Sequence, residues 1–103
     1  MANGGYALSR REDPDTSHAA AQAILAQLPA LQQDVYAYAL MKGADGFTDE
    51  DMLTWFMSHS STYRSRRSEL TRAGLIVDTG RRRLLTTRRR AIVWAIVPWE
   101  VTP

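Results

Sequence analysis

Ten arginines fall between residues 61 and 90, against only Glu69 and Asp78, so this third of the chain carries a charge of +8. The remaining residues carry −6, and the whole chain +2. The basic residues are twelve Arg and one Lys. The planar guanidinium fork suits phosphate oxygens and guanine edges better than an ammonium does. A strongly positive sector on an acidic remainder points to a directed interaction with a polyanion. Arginine codons favoured by a GC-rich genome would contribute to the same bias.

Other chemistry is thinly supported. Asp49, Glu50 and Asp51 are adjacent, but on a helix they point in different directions. They read as acids at a helix N-terminus, where the dipole favours them, rather than as a catalytic pair. His18 and His59 have no metal-ligand spacing. The chain has no cysteine, which excludes disulfides and Cys-ligated zinc. It shows no Gly-rich phosphate loop and no Ser/His/Asp elbow. The expectation is a protein that is not an enzyme, with no cofactor, no metal and no small-molecule ligand. The start, "MANGGYALSRREDPD", has no apolar run, and "AIVWAIV" (91–97) is too short to span a bilayer. A cytoplasmic protein with no membrane partner is expected.

The elements that must position these residues are readable from spacing. With 103 residues the chain can form one compact domain. Residues 1–12 read as a disordered tail and 13–103 as a single domain. "DPDTSHAAAQAILAQLP" predicts a helix over 14–28, capped by Asp13 or Asp15, with Ala20, Ile24 and Leu28 on one face. A second helix over 30–42 carries an apolar stripe of Leu31, Val35 and Tyr38, and Gly43 caps it. "GADGF" (43–47) is a turn. Thr48 and Asp51 have capping-box spacing and open a short helix, "DEDMLTWFM", that buries Met52, Leu53 and Phe56. Ser60 or Ser61 caps a helix over 61–73, with Gly74 at its end. The period then changes to two β-branched strands, "LIVDTG" and "AIVWAIV", joined by an arginine-rich loop with Gly80 in the left-handed conformation. Trp55, Trp94 and Trp99 read as core or near-core, with Trp99 alternatively an exposed anchor.

Three helices followed by a basic hairpin resemble the winged helix-turn-helix DNA-binding proteins. "FTDEDML…SSTYRSRRSELTRAGLIVDTGRRR…RRRAIVW" is similar to small helix-turn-helix proteins of actinobacterial phages and prophages. "ELTRAGLI" looks like that family's exit from the recognition helix into the wing. The resemblance spans roughly residues 30–97. It implies an α+β, mainly α fold: a three-helix core plus a β-hairpin wing, here with an extra N-terminal helix. It implies a double-stranded DNA partner and a regulatory role. By matching positions, Ser61, Thr62, Arg64 and Ser65 would meet base edges, with Arg67 and Ser68 nearer phosphates. Arg81, Arg82 and Arg83 of the wing would contact phosphate or the minor groove.

Read without the family, Tyr63, Leu70 and Ala73 mark the inward face of the 61–73 helix, and Ser61, Thr62, Arg64, Ser65 and Ser68 fall away from it. Small hydroxyl residues beside an arginine permit close approach to a duplex; a merely solvated face is the alternative. Arg66 sits where an aliphatic residue is usual, so it is expected to pack its stem or to pair with Glu50 or Glu69. Arg88, Arg89 and Arg90 face phosphate or solvent. Thr48 and the amides after it can hold a phosphate, although the three acids there oppose it. The first helix either braces the core or makes a homodimer. The competing readings are a protein-docking module, through the acidic 34–51 sector or the first helix, and a recombination or replication accessory factor.

Overall fold

Pro29 and Gly43 bracket the helix on which the site-bearing unit is built. The computed structural model describes residues 14–97, in the order α1 (Pro14–Gln27), α2 (Ala30–Lys42), a 3-10 turn (Gly43–Asp45), α3 (Asp49–Trp55), α4 (Thr62–Arg72), β1 (Ile76–Leu84) and β2 (Arg90–Ile96). Among the described residues it is a mainly helical α+β protein with four helices and one antiparallel hairpin. Residues Pro29–Val97 form one compact unit, and α1 belongs to another. On α1, Ala21 is buried and Ile24, Leu25 and Leu28 are half-buried. The tail 1–12, Asp13 and the chain from Pro98 onward, Trp99 included, lie outside the described residues, as do the side chains of Asp15 and His18. No helix among the described residues is long and apolar enough to cross a membrane.

Within Pro29–Val97 the core gathers Val35, Tyr36, Tyr38 and Ala39 of α2 with Phe47, Met52, Leu70, Ile76, Val93 and Ala95. Leu31, expected on the inward stripe, is instead 37% exposed, and Tyr36 is buried in its place. The reason is that α2 packs against both α4 and β2, which widens its buried arc from one stripe to adjacent pairs of positions. Tyr38 centres an aromatic cluster with Phe47 edge-on at 5.1 Å and Trp55 and Phe56 both at 5.8 Å. Phe56 in turn stacks on Tyr63 of α4 at 4.2 Å, which ties the two helices of the turn together. Trp55, expected in or near the core, packs against Tyr38 and is 57% exposed.

The segment after α2 does more than turn. Phe47 donates to the Trp94 carbonyl at 2.8 Å, and Trp94 donates back to Phe47 at 2.7 Å, a one-residue bridge that fastens this segment to β2. Gly46 makes the approach possible: its φ is +76°, and an added Cβ would lie 2.5 Å from the Trp94 oxygen and 2.7 Å from Val93 Cγ1. Gly46→Ala is therefore expected to destabilise the fold by about 2–4 kcal/mol, read as a drop in the urea midpoint at unchanged m-value.

The hairpin register shifts by two residues along its length, from Asp78 opposite Trp94 to Arg82 opposite Ile92. Thr79, Gly80 and Arg81, two residues more than regular pairing needs, form a bulge against Val93, whose carbonyl accepts from Thr79 Oγ1 at 2.7 Å. Gly80 has the expected left-handed conformation, φ +86°, but it serves this bulge and not the turn. Residues 81–84, expected in the loop, are strand. The turn is Leu85–Arg89, closed by Leu85 N–H to the Arg89 carbonyl and Arg88 N–H to the Leu85 carbonyl, and Arg88 takes the positive φ of +68°.

Candidate nucleic-acid interface

The α3–turn–α4 segment is held by hydrogen bonds that the local residue types dictate. Thr48 Oγ1 accepts from Asp51 N–H and Asp51 Oδ2 accepts from Thr48 N–H, both at 3.0 Å, so the expected capping box forms. It satisfies the amides of Thr48 and Asp51, two of those considered for a phosphate. Beyond α3, Ser58 N–H reaches the Leu53 carbonyl and Met57 N–H the Thr54 carbonyl. That pair of bonds is a Schellman close, with Met57 at the left-handed position, φ +52°. The close of α4 repeats it: Leu75 N–H to Leu70, Gly74 N–H to Thr71, with Gly74 at φ +82°. Ser61 stands at the N-cap of α4 without a side-chain bond, and Ser60 Oγ accepts from Thr62 N–H at 3.0 Å. Ala73, expected inward, is exposed because the helix ends at Arg72.

Among the described residues, six of the ten arginines are paired within the chain. Arg67 grips Asp49 with two bonds of 2.8 Å and lies 3.9 Å over the Trp94 ring, leaving its side chain 11% exposed. It thus joins α4, α3 and β2, and its guanidinium points into the fold. Arg66 pairs with Glu69 at 2.7 Å, one of the two partners expected for it. Glu69 also accepts from Gln32 of α2 at 2.8 Å, and these two bonds hold its carboxyl below the usual range. The buried Arg66 Nε has no partner. On the hairpin, Arg83 meets Asp51 at 2.5 Å, Arg82 forks onto Asp78 at 3.0 and 3.3 Å, and Arg81 donates to the Ala44 and Asp45 carbonyls. The Arg82 fork and the Gly80 amide hold the Asp78 carboxyl low. Arg72 donates to Ser68 Oγ at 3.1 Å. Burial pushes the Tyr38 hydroxyl up to about 12, with Asp51 adding to the rise and Arg83 opposing it.

Arg64, Arg88, Arg89 and Arg90 are different: they are exposed, and among the described residues their side chains have no hydrogen bond or ion pair. Ser61 and Ser65 are exposed beside Arg64, while Thr62 and Ser68 are half-buried. Arg64, Arg89 and Arg90 line one open cleft of about 1250 Å³ between α3, α4 and the hairpin. Its other wall carries Asp49, Glu50 and Asp51. Arg67 and Arg83 neutralise two of these acids, and Glu50 is exposed. The structure therefore brings Arg64 together with the hairpin tip and directs Arg67, Arg81, Arg82 and Arg83 onto groups of the chain itself. Arg88–Arg90, which face phosphate or solvent on sequence alone, are set at the tip by the register of the hairpin, and no local signal records that register. The tip conformation is costly for a side chain: Arg88→Gly is expected to raise stability by about 0.5–1 kcal/mol in thermal unfolding while removing one free charge.

Among the described residues no group of three or more His, Asp or Glu could hold a metal ion. The chain matches no family model, no curated protein and no solved structure. The class is therefore a small mainly helical α+β protein with an arginine-lined cleft, and what it binds is inferred from that cleft.

Proposed function

We propose that this chain is a double-stranded DNA-binding protein of the winged helix-turn-helix type. In this reading α2, α3 and α4 are the three-helix core, β1 and β2 the wing, and α1 an addition. The N-terminal half of α4 enters the major groove and offers Ser61, Thr62, Arg64 and Ser65 to base edges. Arg88–Arg90 at the wing tip take the phosphates, the task first expected of Arg81–Arg83. The observation that carries the reading is the division of the arginines: those left without a partner border the helix face rich in small hydroxyls. The role that fits the resemblance is a phage or prophage transcriptional regulator acting in the cytoplasm of a bacterial cell. A recombination or replication accessory factor would use the same surface, and the position of the bound site separates the two. A homodimer would select a palindromic site.

Binding to a short random-sequence duplex tests the proposal. Three arginine–phosphate contacts give a slope of log affinity on log salt on the order of −2.5 to −3. Affinity should fall about 40-fold between about 50 and about 200 mM salt. Binding that is absent at low salt, or that ignores salt, rejects it. A protein-docking module is the second reading, favoured by the large apolar side chains of Trp55 and Met41, 57% and 54% exposed. Under that reading Trp55→Ser abolishes partner binding while duplex binding stays unmeasurable.

A further inference from the structure

Met57 occupies a place that suits it badly in two independent ways. It stands at the left-handed position of a Schellman close, φ +52°, where α4 of the same chain uses Gly74. Its side chain is 89% exposed, the most of any large apolar residue described. Backbone strain together with an unburied apolar side chain is the combination expected where a residue is kept for contact rather than stability. Its surroundings say what the contact is. Met57 lines the cleft that also holds Arg64, Arg89 and Arg90, and it lies four residues before the start of the exposed α4 face. Free positive charge in that cleft matches a phosphate backbone, and the docked duplex brings base edges to the residues beside the arginines. The apolar feature a major groove offers there is the 5-methyl group of thymine. A methionine is long, flexible and polarizable enough to cover it.

We propose that Met57 reads a thymine methyl in the major groove and so contributes to sequence choice. This rests on the DNA-binding reading above. The test uses a duplex selected by the wild-type protein from a random-sequence pool, remade with uracil in place of each thymine in turn, which deletes only the methyl. At one or two positions the wild type should bind about fourfold more weakly, the value of one buried methyl. Met57→Gly should bind the thymine and uracil duplexes alike, with a thermal midpoint at or above that of the wild type because the left-handed backbone is relieved. The proposal is overturned if Met57→Gly keeps the discrimination, if the wild type shows none at any position, or if the selected duplex holds no thymine. In those cases duplex binding itself still stands. If the wild type selects no duplex at all, the DNA-binding reading falls with it.

Discussion

Arg67→Ala is expected to lower the stability of the Pro29–Val97 unit by about 3 kcal/mol, which for a domain of this size moves the thermal midpoint by about 10–20 °C. Three losses coincide. Asp49, 25% exposed, keeps its charge without a counterion; the face of Trp94 loses its guanidinium cover; and α4 loses its fork onto α3. Arg67→Lys should recover only part, because an ammonium cannot hold both carboxylate oxygens and stack on the indole together. In a double-mutant cycle with Asp49→Ala the coupling should be about 2 kcal/mol, and additive effects would contradict the pairing. The salt dependence of duplex binding should be unchanged in Arg67→Ala at a temperature where it is folded. A shallower slope would return Arg67 to the phosphate role expected from the resemblance.

The triple change of Arg88, Arg89 and Arg90 to alanine is expected to do the opposite. The three side chains are exposed and have no ion pair among the described residues, so the thermal midpoint should hold or rise as Arg88 is relieved of its positive φ. Duplex binding should weaken by about 100-fold near physiological salt, with the log–log slope shallower by about 2 to 3. The matching triple change at Arg81, Arg82 and Arg83 removes two partly exposed ion pairs and three bonds to carbonyls. It should cost about 1–2 kcal/mol of stability. Its slope should change less than that of the 88–90 variant.

The contrast between the two triplets shows what was legible in the sequence. Local signals read well: Pro29 and Gly43 bound α2, Thr48 and Asp51 form the box, Gly74 closes α4, and the Arg66–Glu69 pair lies only three residues apart. The pairings that decide which arginines are free span long separations. Arg67 reaches 18 residues back to Asp49, Arg83 32 back to Asp51, and Arg81 37 back to Ala44. No periodicity records such contacts. The hairpin is hidden in the sequence for a related reason: the bulge at Thr79–Arg81 carries the strand through residues that look like loop, and Arg88 supplies the left-handed turn conformation that a glycine would advertise. The Phe47–Trp94 bridge is one residue long and has no repeat to detect. Trp55 and Ala73 were placed inward by residue type or helical phase alone, and the early ends of α3 and α4 leave them at the surface.

Mapping backbone amide shifts on titration with a short random-sequence duplex at low salt tests the central claim most directly. The account predicts perturbations at Ser61, Thr62, Arg64 and Ser65 and at Thr87 through Arg90, with the amides of Arg81, Arg82 and α2 largely unmoved. A spectrum that does not change, or one whose changes gather on α2 and around Trp55, would contradict it.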